Sequence, residues 1–79
     1  MKMVKQKVVP IGRKVLIKPK EVTDEHIAEI IAVGDSVEGL SVGDVVKYSE
    51  HADGIDMKHD GDNVLLMNYD MIFAKIIDG

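Results

Sequence analysis

The chain has 79 residues, a net charge of −4 and no cysteine. That length implies a single domain, residues 1–79, with a core so small that disulfides, metals or self-association commonly support it. Lack of cysteine excludes disulfides and thiolate metal sites and fits a reducing compartment, and no apolar run has signal or membrane-spanning length, so the expectation is a soluble cytoplasmic protein without a membrane partner.

In chain order, the first element is an extended segment in VVPIGRKVLIKPK, with Pro10 near its start and Pro19 near its end. Proline has no N–H to donate, which puts Pro10 at a strand edge or a first residue. The next stretch, EVTDEHIAEIIAVGDS, is ambiguous by itself. Thr23 or Asp24 could cap a helix, and Ile27, Ile30 and Ile31 fall at helical spacing. Its β-branched second half and the following Gly34 instead favour a strand from Ile27 to Val33. A lone helix of that length is also too short to hold without packing.

Three further elements follow. VGDVVKYS reads as a strand entered through a Gly43-Asp44 turn. GIDMKHDGDNVLLM reads as a hairpin, because Asp60-Gly61 supplies the left-handed torsions of a tight turn. DMIFAKII reads as the last strand, opened by a turn at NYD. Strands separated by short Gly/Asp turns predict an all-β barrel or sandwich with almost no helix.

Alternation places Ile72, Ala74 and Ile76 on one face of the last strand and Met71, Phe73 and Lys75 on the other. In the first strand Val15 and Ile17 alternate with Lys14, Leu16 and Lys18. A monomer built this way leaves Leu16, Met71 and Phe73 partly wet, so these three are expected at a subunit interface made by the terminal strands of a homo-oligomer.

Seven of the ten basic residues lie in the first twenty positions, and all fourteen acidic residues come later. A basic arm can bind phosphate. Here it contains no aromatic residue for base stacking, and the acidic remainder repels a polyanion. The reading is a basic strand lying against an acidic body, without nucleic acid.

No catalytic, cofactor or metal site is expected. His26, His51 and His59 sit among Asp53, Asp56 and Asp60, but their spacing matches no compact ligand motif. No HExxH, Gly-x-Ser-x-Gly or phosphate-cradling glycine loop is present. Met57-Lys58 resembles the modified lysine of lipoyl and biotinyl carrier domains. That lysine belongs at a hairpin tip, which Asp60-Gly61 occupies here. The chain therefore reads as a non-enzyme.

Taken together, these stretches resemble the GroES-type co-chaperonins. In the first, Pro10, Ile11, Arg13 or Lys14, Val15, Leu16, Ile17, Lys18 and Pro19 match the family's opening strand. AEIIAVG, Ala28 to Gly34, is similar to the family's GEVVAVG. From Val42 onward, Gly43, Asp44, Val46, Ser49, Ala52, Gly54, Asp60, Gly61, Leu65 and Asp70 hold matching places, with one extra residue near Asp53. The resemblance implies a small irregular β-barrel, usually in a seven-membered ring, with the first strand of one subunit paired to the last strand of the next. It also implies a partner, an ATP-driven chaperonin that the ring caps to assist protein folding.

Two departures accompany the match. The family's long mobile loop, whose apolar tripeptide docks on the chaperonin, is reduced to Glu21, Val22, Thr23, Asp24, Glu25 and His26. The roof hairpin is reduced to DSVEGLS, Asp35 to Ser41. The expected function is co-chaperonin activity impaired by the missing docking loop. The alternative is a GroES-like ring or scaffold without chaperonin partnership.

Overall fold

A computed structural model describes residues 7–19 and 26–77. Six strands form one antiparallel sheet: β1 (Lys14–Pro19), β2 (Ile27–Val33), β3 (Val45–Tyr48), β4 (Ile55–His59), β5 (Asp62–Asn68) and β6 (Ile72–Ile76), in the spatial order β4-β5-β1-β2-β3-β6. The only helical piece among the described residues is a 3-10 turn, Tyr69–Met71. No helix among them is long and apolar enough to cross a membrane.

The ambiguous segment is thus a strand. Ile27, Ala28 and Glu29 pair with β3, and Ala28, Glu29, Ile30, Ala32 and Val33 pair with β1. Gly34 closes β2 by donating its N–H to the Lys14 carbonyl at 2.8 Å. The hairpin is also where the sequence placed it. His59 pairs with Asp62 across a two-residue loop in which Asp60 and Gly61 have φ of 50° and 88°. Both central residues of a type I′ turn need positive φ, which Asp and Gly tolerate best. Lys58 lies within β4, opposite Asn63 rather than at the tip.

The core gathers Val15 and Ile17 of β1, Ala28 and Ile30 of β2, Val46 of β3 and Met67 of β5, with Tyr48, Leu65, Met71 and Ile72 packed against them. β5, next to the edge strand at one end of the spatial order, and β6, the edge strand at the other, both reach this one cluster, so the sheet curls around it. Two bulges adjust which side chains do so. Leu16 pairs with Ala32 but Ile17 pairs with Ile30, leaving Ile31 as an extra residue on β2. The insertion reverses the alternation beyond it. As a result Val33, opposite Val15, packs on the core together with Ala28 and Ile30.

The second bulge corrects the reading of the last strand. Lys47 pairs with Ala74 and Tyr48 with Ile72, which leaves Phe73 extra. Ile72 then shares the inner face with Tyr48. Ala74 and Ile76 lie opposite Lys47 and Val45, on the other face. A strict period of two across Phe73 put all three on one side. Met71 is a further difference. It belongs to the 3-10 turn, not the strand, and its carbonyl accepts the Ser49 N–H at 2.9 Å.

The basic first strand does lie against acidic positions of its own chain. Arg13 pairs with Asp70 at 2.7 Å, and Lys18 with Asp62 at 3.5 Å. All four side chains are at least half exposed. Pairs of that kind set register and orientation more than stability, since exposed ion pairs contribute about 0–1 kcal/mol.

Candidate assembly and docking surface

The free edge of β6 is the most distinctive surface of the chain. β6 pairs with β3 along one side, and among the described residues nothing pairs with its other side. An unpaired strand edge is a template for another chain unless charge, twist or a bulge protects it. Here the bulge turns Phe73 outward, and its side chain is 68 % exposed. Ile76 and Ile77 extend the apolar surface toward the end of the strand, 40 % and 76 % exposed.

Phe73 stands between two clefts. One, of about 360 Å³, is lined by His26, Lys47, Tyr48, Ser49, Glu50, His51 and Phe73. The other, of about 150 Å³, is formed with Gly39, Leu40, Tyr69, Ile72, Ala74 and Lys75. The first has an ordered wall. His26 and Tyr48 meet edge to face with ring centroids 5.6 Å apart, and the Tyr48 N–H donates to the His26 carbonyl at 3.0 Å. Ser49 is buried, and its hydroxyl oxygen accepts the His51 N–H at 3.1 Å. The second cleft borders the shortened roof segment through Gly39 and Leu40. It borders the 3-10 turn through Tyr69, whose ring lies 5.7 Å from the Arg13 guanidinium.

The three residues expected at a subunit interface separate in the structure. Phe73 is exposed on a free edge. Met71 is half-buried against the core of its own subunit. Leu16 is fully buried within the chain and has no surface to offer a neighbour, which corrects the expectation that a lone subunit leaves it wet. β1 is a central strand, hydrogen-bonded to β5 on one side and β2 on the other, so residues Lys14–Pro19 cannot pair with a second chain.

Of the six residues at the loop position, Glu21, Val22, Thr23, Asp24 and Glu25 lie outside the described residues. His26 is described. It holds φ of 56°, a left-handed torsion uncommon for a residue with a Cβ, and sits at the rim of the larger cleft. His51 shares that cleft, whereas His59 lies on β4 at the opposite edge of the sheet. Among the described residues no three histidine or carboxylate side chains come together as a metal set.

The cleft and the exposed edge make a measurable prediction. Burying a large apolar side chain is worth about 1.5–3 kcal/mol, and a closed ring repeats each contact at every interface. We expect self-association through this edge, so that Phe73→Asp leaves only monomer at micromolar concentration where the parent chain is oligomeric, seen by light scattering. The folded subunit should survive, because Phe73 contributes nothing to the core. An intact oligomer in the variant would remove this edge from the interface.

No family model matches the chain. Curated relatives do. The co-chaperonin GroES of Kosmotoga olearia is 34% identical over 87 residues, covering 89% of this chain and 97% of the relative. That of Thermotoga maritima is 34% identical over 89 residues, covering 89% and 96%. That of Pseudothermotoga lettingae is 34% identical with the same coverage as the first. Each comparison is longer than the 79-residue chain itself, so the relatives carry positions this chain lacks. With matches across nearly the whole of each relative and an all-β subunit of six antiparallel strands, the chain belongs to the GroES co-chaperonin family.

Proposed function

We propose that this protein is a ring-forming cytoplasmic co-chaperonin, a seven-membered ring by family resemblance, that acts without chemistry of its own beside an ATP-driven chaperonin. We further propose that its capping of that chaperonin is weak. The observation that carries the reading is the end-to-end similarity to proteins named as GroES co-chaperonins. The exposed β6 edge supports assembly. Weak capping is inferred from the short connection between β1 and the start of β2: in sequence, Glu21 to His26 contain Val22 as their one aliphatic residue, beside Glu21, Asp24 and Glu25.

The second reading, a GroES-like ring or scaffold that has no chaperonin partner, rests on the same short connection. One experiment separates the two. The purified assembled protein is incubated with a double-ring chaperonin and nucleotide, and co-migration and ATPase inhibition are measured. Detectable, nucleotide-dependent association at high micromolar concentration supports the impaired co-chaperonin. No association at any concentration supports the scaffold.

A further inference from the structure

The N-terminal segment is fastened to the far edge of the sheet by one histidine. The Val8 N–H donates to His59 Nδ1 at 3.0 Å, a contact spanning 51 residues of sequence. The His59 side chain is 19% exposed. The register of the hairpin fixes which face it occupies. Met57 pairs with Val64, and Ile55 with Leu66, which in turn pairs with Leu16 of β1. His59 alternates with Met57 and Ile55 on this face, the one turned away from the main core. The face is apolar, and Leu16 and Val64 on it are buried, 0 % and 3 % exposed. The segment that Val8 brings to it includes buried Pro10.

An imidazole nitrogen accepts an N–H only while it carries no proton. The contact therefore requires the neutral ring, with its hydrogen on Nε2. We propose that His59 is an acid-sensitive latch for the N-terminal segment, closed when the ring is neutral and open when it is protonated. Protonation places a hydrogen on Nδ1 facing the Val8 N–H, so an acceptor becomes a second donor and the contact turns repulsive.

The surrounding charges give the released imidazolium partners. The Asp60 carboxylate in the turn lies 3.9 Å from Nε2. Asp62, the cross-strand partner of His59, shares its face and is itself paired with Lys18 of β1 at 3.5 Å. Lys7 adjoins Val8 on the segment. Lys58 alternates to the opposite face of β4. As the latch opens, the segment loosens from the hairpin that carries His59.

The test uses the isotopically labelled full chain in its assembled form. Val8 amide exchange, corrected for the intrinsic effect of pH, is followed together with the ring-nitrogen shifts of His59. The Tyr48 amide, bonded to the His26 carbonyl, is the internal control. At pH 8 the expected result is a protected Val8 amide and an unprotonated Nδ1. On acidification Val8 loses about tenfold of its protection, the scale of one hydrogen bond, with the same midpoint as His59, while Tyr48 is unchanged. His59→Asn keeps a side-chain acceptor that does not titrate, and its Val8 protection is expected to be independent of pH. His59→Leu removes the acceptor and should leave Val8 unprotected throughout. A wild-type Val8 amide indifferent to pH, or one that loses protection identically in His59→Asn, overturns the proposal. Where either variant fails to fold or to hold the segment, the coincidence of midpoints in the wild type decides.

Discussion

Gly34→Ala is expected to destabilise this protein by about 3 kcal/mol or more, a large part of the roughly 4–12 kcal/mol that a domain of this size possesses. The cause is a close approach of two backbones. A Cβ at Gly34 would lie 2.1 Å from the Gly12 carbonyl oxygen and 2.8 Å from its carbon. Neither atom can swing aside, because both belong to the main chain. Relief requires prising residues 11–14 away from the end of β2. That movement breaks the bond from Gly34 N–H to the Lys14 carbonyl, 2.8 Å, and the bond from Ser36 N–H to the Gly12 carbonyl, 3.0 Å. Overpacking of this kind costs about 1–3 kcal/mol, and each lost hydrogen bond about 1 kcal/mol more.

The melting temperature should fall by more than about 10 °C at equal protomer concentration, since a domain of this length loses roughly 4–8 °C per kcal/mol. Gly39→Ala is the control. Gly39 has φ of 83°, but a Cβ there would meet nothing within 4 Å, so only torsional strain of about 1 kcal/mol applies. Equal melting temperatures for the two variants would show that the Gly12–Gly34 approach is not a constraint.

The same glycine marks how far the sequence alone could go. Its place at the end of AEIIAVG identified it as the terminator of β2, and that was right, but nothing local shows that Gly12 passes over it. Strands were legible wherever β-branched residues were dense and turn residues bounded them: Ile27–Val33, Val45–Tyr48, and the hairpin closed by Asp60-Gly61. The facing of side chains was less legible. An alternating pattern carries no mark of a bulge, so the extra residues Ile31 and Phe73 were invisible, and in the last strand the facing assigned to Ala74, Lys75 and Ile76 inverted. Leu16 failed for a different reason. Alternation assumes that the second face of a strand is wet, but β1 is central in the sheet and its outer face is closed off as well. On the candidate surface, Phe73 was singled out as a large apolar residue on the second face of a terminal strand, and it is exposed there. The cleft beside it was not legible, because it joins His26, Tyr48 and His51 from separate elements.

On the proposed reading of weak capping, adding an apolar docking loop is expected to give an effective cap. A flexible segment that orders on binding must gain more from buried contacts than its ordering costs, commonly a few kcal/mol. In the family resemblance that gain comes from an aliphatic tripeptide, three side chains worth about 1.5–3 kcal/mol each when fully buried. Val22 supplies at most one such contact, and the flanking carboxylates of Glu21, Asp24 and Glu25 must be desolvated or kept in water at the rim. A single site of that kind retains little net affinity. Multivalency in a ring amplifies what each loop contributes, adding about 10²–10⁴ in avidity where every loop can engage at once. It cannot amplify a contribution near zero. A flexible segment carrying an aliphatic tripeptide, inserted between Thr23 and His26, leaves both strands and the β6 edge untouched. The graft is expected to inhibit chaperonin ATPase at least about a hundredfold below the concentration the parent needs. A second graft with the tripeptide replaced by serines separates loop length from apolar contact, and it should behave as the parent does. Strong inhibition by the unmodified parent would refute the argument and place docking on a surface outside Glu21 to His26, with the cleft between Tyr48 and Phe73 the first to test by substitution.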